Sequence, residues 1–430
     1  MKLSTVIRAK DHYNLLVLGA GAGGLATSSH FSRVLPKGSV GVVEPSSLHY
    51  YQPGFTLVGG GIFPKSHFTR AEAPLIPKNA TWIKDSVGKI IPQKNIVQTT
   101  SGKEISYNFL IVATGVEIRF DLIEGLQEGL SMKDNKVVST YSPNTVENVY
   151  KAFQNFDKGN AVFTFPNAPI KCPGAPQKIC YLFEDYLRKN NKRDNANIIY
   201  NTILPRIFGI ERYSEELTKY AKSKDINVNY RTALSKIDPI KRIATFDLLN
   251  EDVKPSGNTK EIEYDLLHVG PPCSPVEGLR NSIKDSDGLT DASGFIDVDK
   301  NTLQSKKYSN VFAIGDCSNF PSPKTAAAVS GHLKTIKTNI KKVMEGEKVE
   351  PSYDGYTSCP LVVSYNKCIL AEFNYDGPLE TTPFEQKNPS YLAFLGKKYG
   401  FPALYWKLLL TGHWNGPSTV RKVLHLNMKN

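Results

Sequence analysis

The chain has 430 residues, 40% apolar and 22% charged, which excludes a disordered or fibrous protein and leaves room for two or three domains with ample cores. Its formal charge of +12 governs which anions it meets and says nothing of fold, so nucleic acid, an anionic membrane and small anionic substrates are all to be weighed. Six cysteines (Cys172, Cys180, Cys273, Cys317, Cys359, Cys368) are too scattered for a disulfide scaffold and lack the C-x-x-C spacing of a zinc site, so no metal is expected and one redox-active pair is the most that fits.

Met1 to His12 carries Lys2, Arg8 and Lys10 without an apolar core, which argues against a secretory signal, and it is short for a transit peptide. Tyr13–Leu18 reads as a strand running into Gly19-Ala20-Gly21-Ala22-Gly23-Gly24, followed by a helix over Leu25–Leu35. A second apolar run, Val40–Val43, ends in Glu44, about 20 residues past Gly24, the separation at which an acid meets an adenosine ribose. Strand, glycine turn, helix and spaced acid together predict a dinucleotide-binding domain.

Phe109–Gly115 forms another buried strand ending in Thr114-Gly115, and Val311–Asp316 forms a third ending in Gly-Asp. In flavoproteins with two dinucleotide-binding domains, such a late strand returns to the first domain, and its aspartate, here Asp316, meets the ribityl-pyrophosphate region. That motif order assigns FAD, and not NAD, to the first glycine loop. Between these strands lies an inserted α/β segment, with strands at Ala161–Phe165, Ala196–Tyr200 and Ile226–Tyr230 and a helix near Ile179–Lys189. Glu251–Lys260 reads as an exposed hairpin connection.

The expected fold is therefore α/β with two Rossmann-type domains. The FAD domain is discontinuous, over 1–148 and 272–345; a second Rossmann-like domain spans 149–271; a C-terminal region, 346–430, carries a redox cysteine and amphipathic helices.

Where a second phosphate loop belongs, after Ala161–Phe165, the chain reads PIKCPGAPQ. A pyrophosphate needs small residues and free N–H groups at a helix start, whereas Pro166, Pro169, Pro173 and Pro176 remove donors and stiffen the turn. A rigid thiol loop suits electrons arriving from sulfur chemistry better than from NADH. Lys171 is expected to favour the Cys172 thiolate. A disulfide is opened through a thiolate leaving group, so the minimum machinery for sulfur chemistry here is two cysteines that meet in space beside a flavin. Cys172 and Cys359 are the candidates, each in a proline-flanked, turn-like segment where a thiol can be exposed, while the other four are expected as small buried apolar residues.

PIKCPGAPQKI around Cys172, GDCSNFPSPKTAAA from Gly315 and YDGYTSCPL around Cys359 resemble the eukaryotic-type sulfide:quinone oxidoreductases, from about residue 13 to the C-terminus. The resemblance implies a peripheral flavoprotein of the mitochondrial inner membrane that oxidises hydrogen sulfide. Two electrons pass through FAD to ubiquinone, and sulfane sulfur goes to a small acceptor such as glutathione or sulfite. It also implies that Cys172 faces the flavin while Cys359 takes the attacking sulfide as a persulfide. Carried over by position, Ala22 and Gly23 lie in the pyrophosphate turn, Glu44 on the ribose, Gln52 beside the flavin and Val87 on the adenine side. Lys324-Thr325-Ala326-Ala327 begins a helix whose positive end, aided by Lys324, would stabilise the reduced flavin. Gln52 as a turn cap and Lys324 as a solvated charge are the plain alternatives.

Gln386–Asn430 holds Lys387, Lys397, Lys398, Lys407, Arg421, Lys422 and Lys429 and no acid, interleaved with Tyr391, Phe394, Tyr399, Phe401, Tyr405, Trp406, Trp414 and several leucines. This describes two short interfacial helices, broken at Gly412, Gly416 and Pro417, lying on a membrane surface through which a quinone enters. A core-packed helix or a homodimer surface competes with that reading; nucleic-acid binding lacks any recognised module. A type II NADH:quinone dehydrogenase would share the flavin domain and the tail but needs the missing second glycine loop.

Overall fold

The computed structural model describes residues 11–285, 287–382 and 385–417. The first apolar run forms a strand, Asp11–Leu18, inside a seven-stranded sheet. Val40–Val43 and Glu104–Val112 flank it in parallel, with Leu15 opposite Val40 and Phe109, and Ala80–Ile83 extends the sheet beyond Val40–Val43. All four residues of Val40–Val43 are buried, the pattern of a parallel strand covered on both faces. As expected from the motif order, Val311–Ala313 returns late in the chain to pair in parallel with Leu110–Val112. Antiparallel strands Ile96–Thr99 and Val87–Ile91 complete the sheet.

A second, all-parallel sheet orders its strands Val137–Val138, Leu266–Val269, Gly159–Thr164, Ala196–Asn201 and Ile226–Asn229. Its edge strand at Val137–Val138 lies upstream of residue 149. Helix Ala175–Lys189 follows Gly159–Thr164 and buries Ile179, Leu182, Phe183 and Leu187. Glu251–Lys260 departs from the expected connection. Only Asn250–Lys254 makes the turn; from Pro255 the chain is an exposed edge strand whose backbone pairs with Ile243–Leu249, which its polar side chains do not prevent.

The C-terminal region opens with the antiparallel pair Thr357–Ser364 and Lys367–Asn374. One helical run, Tyr391–Leu409, then replaces the expected first short helix, its α-helical turns Tyr391–Leu395 and Phe401–Leu404 alternating with π-helical Gly396–Gly400 and Tyr405–Leu409. Gly412, at φ +72°, ends it. The expected second helix, with Arg421, Lys422 and Lys429, lies outside the described residues. Among the described residues no helix is long and apolar enough to cross a membrane.

Candidate active site

A cavity of about 670 Å³ is lined by the first glycine loop, the Cys172 loop, the start of helix Ala326–Met344, the strand carrying Cys359 and the C-terminal helical run. At its nucleotide end, Gly19 adopts φ +94°, and a Cβ there would sit 2.6 Å from the Ala113 carbonyl oxygen. A Cβ at Gly24 would run into the Gly19 carbonyl, whereas one at Gly21 would meet open space. Gly21 also precedes helix Ala22–Val34 with no side chain capping it, so an anion can approach the first backbone N–H groups. Thr114 adds a buried hydroxyl with no partner beside Gly115 at φ +67°. These features fit the diphosphate and sugar of a dinucleotide.

Glu44 accepts hydrogen bonds from the Ala20 and Ser46 amides, both at 2.7 Å, and burial raises its pKa. Asp316 lines the same wall, and burial raises its pKa too. Ala22, Gly23, Gln52, Thr325, Ala326 and Ala327 all reach the cavity, and Thr325 caps its helix by accepting from the Ala328 amide at 3.0 Å. Gly24 and Val87 do not reach it. Gly24 packs beneath the loop, and the Val87 carbonyl packs on Gly278.

Two lysines are placed otherwise than expected. Lys324 lines the cavity with the helix start at Ala326 but turns its ammonium to the carbonyls of Asp316 (2.7 Å) and Ser318 (2.9 Å), over the Phe295 ring at 4.1 Å. Lys171 donates to Gln52 Oε1 at 2.6 Å; the side chain that meets Cys172 Sγ, at 3.4 Å, is Lys178. A side chain at 171 is drawn off by the nearest strong acceptor, whereas 178 lies on the buried face of helix Ala175–Lys189, one turn in from the thiol.

Cys172 is held at φ +49°, a left-handed conformation rare for a residue with a Cβ and typical of strained functional sites. Its amide donates to the Lys324 carbonyl at 2.7 Å, and its own carbonyl accepts from Tyr141 Oη at 3.1 Å and from the Ala175 amide at 2.9 Å. Cys359 sits on the strand Thr357–Ser364 and is 5% exposed, which corrects the expected open loop. Pairing with Lys367–Asn374 gives its segment a register that no local turn signal reveals. Its sulfur packs so tightly on Gly174 that a Cβ there would lie 2.5 Å away. Both cysteines are free thiols lining one cavity. The remaining four are buried, as expected.

Burial raises the Cys359 pKa, Lys178 lowers it and Cys172 raises it. Burial opposes the Lys178 charge, but the two thiols more than offset that and hold its pKa above the ordinary value. Lys397, expected among headgroup lysines, is also buried here. It donates to the Pro53 carbonyl at 2.7 Å, and burial, then Lys178, lowers its pKa to about 8. The sequence reading passes over Lys178 and places Lys397 among headgroups, although each stands on an apolar stripe, Lys178 with Ala175, Ile179 and Leu182, Lys397 with Phe394, Phe401 and Tyr405.

The C-terminal run is thus partly wall. Phe401, Leu404, Tyr405, Leu409 and Trp414 line the cavity, while Tyr391, Leu392, Tyr399, Lys407 and Leu408 are exposed along the same run. Removing residues from Gln386 onward would open the site as well as strip that surface.

No protein-family model matches the chain. It is 46% identical over 421 residues to the mitochondrial sulfide:quinone oxidoreductase of Mus musculus, covering 98% of this chain and 91% of that one. The chain belongs to the sulfide:quinone oxidoreductase family. It is a flavoprotein oxidoreductase with the α/β fold expected of it. The mitochondrial sulfide:quinone oxidoreductase of Dictyostelium discoideum is 42% identical over 96% of this chain and 89% of its own. The crystal structure of the Aquifex aeolicus sulfide:quinone oxidoreductase has the same fold, with a TM-score of 0.78, 19% identity, and coverage of 98% of this chain and 96% of that one.

Proposed function

We propose that the protein oxidises hydrogen sulfide at Cys172 and Cys359, holds FAD in the glycine-loop cavity and reduces ubiquinone, handing the sulfane sulfur to a small thiol or to sulfite. The observation that carries this reading is the meeting of two thiols, far apart in sequence, on one buried ammonium in the same cavity as the dinucleotide cradle. Gly19, Gly21, Ala22, Gly23, Gly24, Glu44, Gln52, Thr114, Gly115, Asp316, Thr325, Ala326 and Ala327 would hold the cofactor or shape its seat, with Val87 supporting the adenine side through Gly278. Bound FAD supplies a two-electron carrier between the thiols and the quinone.

The cycle starts from a bridge between the two cysteines. HS⁻ attacks Cys359 Sγ; the bridging bond breaks, a Cys359 persulfide forms and Cys172 leaves as thiolate. Lys178, within reach of both sulfurs, neutralises the charge that appears. An acceptor thiolate or sulfite takes the outer sulfur and leaves a Cys359 thiolate. The two thiolates then give up two electrons and re-form the bridge. Helix Ala175–Lys189 adds the positive end of its dipole two residues from Cys172.

Tyr391, Leu392, Tyr399, Leu408 and Lys407 form an apolar, basic surface suited to the interface of a membrane, here the mitochondrial inner membrane, with the apolar wall of the cavity directly behind it as the quinone site. Anaerobic rapid mixing tests the proposal: sulfide bleaches the flavin absorbance, NADH does not, and a ubiquinone analogue restores it. Bleaching by NADH alone would instead support the NADH:quinone dehydrogenase reading.

A further inference from the structure

Among the buried titratable groups that the sulfur chemistry leaves unused, one cluster stands out by its geometry. His49, at 4% exposure, lies between Glu72, at 2%, and Tyr405, at 5%. Its Nδ1 is 3.2 Å from Glu72 Oε2 and its Nε2 is 2.7 Å from Tyr405 Oη. Three segments distant in the chain supply them, and all three side chains line the cavity. The second Glu72 oxygen, Oε1, is buried with no partner. Tyr405 stands one helical turn from Phe401 on the apolar wall of the cavity, and its ring packs 4.7 Å from that of Tyr51.

We propose that Glu72, His49 and Tyr405 form a proton relay that delivers one of the two protons consumed when the quinone is reduced. This inference rests on the quinone reading above. Reduction to a quinol takes two electrons and two protons. Reduced FAD, when bound, would supply the two electrons and one of these protons and be oxidised. The second proton comes from Tyr405: its O–H bond breaks as the quinol O–H bond forms. His49 Nε2–H reprotonates the phenolate, and the Glu72 carboxylate stabilises the doubly protonated imidazole from which that proton is taken. Solvent then restores the proton on His49. A carboxylate on one ring nitrogen and a phenol on the other orient an imidazole for transfer in one direction. Tyr405 is the catalytic member; His49 and Glu72 act through it.

The charged and titratable groups around His49 come from each packed element. Besides Glu72 and Tyr405 they are Glu44, which shares its field, Tyr51 beside Tyr405, and Arg70, held 5.0 Å over the Trp406 ring that packs edge-on to His49.

The test separates the two half-reactions in the FAD-loaded, full-length protein. Tyr405→Phe and His49→Gln are expected to slow flavin reoxidation by decylubiquinone about 100-fold, within the usual range for a general acid, and to abolish its solvent isotope effect, while sulfide still bleaches the flavin. Glu72→Gln is expected to slow it about tenfold and to shift the pH at which reoxidation falls. In ¹⁵N-histidine NMR of the same protein, the His49 Nδ1 resonance should move at fixed pH in Glu72→Gln as its carboxylate partner is lost, a readout independent of turnover. Bleaching by sulfide in every variant establishes that it folds. Reoxidation at the wild-type rate with an unchanged pH profile in all three variants would overturn the relay. If the wild type itself were not bleached by sulfide or not reoxidised by the quinone, the functional reading would fall instead.

Discussion

Two loops occupy equivalent places in the two large sheets, and they treat the same helix-start physics differently. Gly19–Gly24 joins the strand Asp11–Leu18 to the helix Ala22–Val34 and leaves N–H groups uncovered for a phosphate. Phe165–Gly174 joins Gly159–Thr164 to the helix Ala175–Lys189, yet it is stiffened by proline, crossed by Cys172 at positive φ and filled at its helix start by the Cys359 sulfur. A helix N-terminus stabilises any anion that reaches it. Glycine admits a diphosphate at the first loop; proline and a glycine placed one residue before the helix admit a thiolate at the second.

Replacing either thiol should do the most damage to this contrast. Cys172→Ser and Cys359→Ser are each expected to lower flavin bleaching by sulfide by about 1000-fold or more with FAD absorbance retained; substantial bleaching in both would return the second loop to a structural role. In the first loop, Gly24→Val would force a side chain into the Gly19 carbonyl. It should lower stability by about 3 kcal/mol and release the flavin, seen in Tm and bound-cofactor absorbance. Lys178→Met removes the ammonium shared by the sulfurs and should slow bleaching about 100-fold at neutral pH, with recovery as pH rises and the thiols ionise unaided.

Lys397 sharpens the same comparison through pH. Its folded pKa, about 8, is depressed, so its charge is present below that pH and lost above it. Bleaching by sulfide should therefore weaken about tenfold as pH rises through about 8, and Lys397→Met should flatten that limb by lowering the acid plateau. The smallest effect belongs to the outer face. Tyr399→Ser or Leu408→Ser should each weaken sedimentation with anionic vesicles about fivefold, the loss of roughly 1 kcal/mol of apolar burial.

The strands, the glycine loop and the late return of Val311–Ala313 were legible because each is written in a short contiguous pattern of apolar residues ending in glycine. That Cys172 lines the cavity was legible for the same reason, since a loop dense in proline and bearing a thiol contradicts the local template. Lys178 and Lys397 were not, because a lysine in a helix reads as solvated unless its position on the apolar stripe is counted. The meeting of His49, Glu72 and Tyr405 had no sequence signal at all. It depends on the hairpin of Leu48–Tyr50 with Thr69–Ala71 and on the docking of a helix encoded far downstream.

That docking is fastened by the turn at Thr411–Asn415. Arg33 donates to the Thr411 carbonyl at 2.7 Å, and Lys337 donates to the Gly412 and Trp414 carbonyls and to Asn415 Oδ1. The wall beside the thiols is thus tied by two cations to the helices Ala22–Val34 and Ala326–Met344, whose other work is to frame the nucleotide end of the cavity. Removing either cation would loosen that wall and leave the two thiols open to whatever oxidant is at hand.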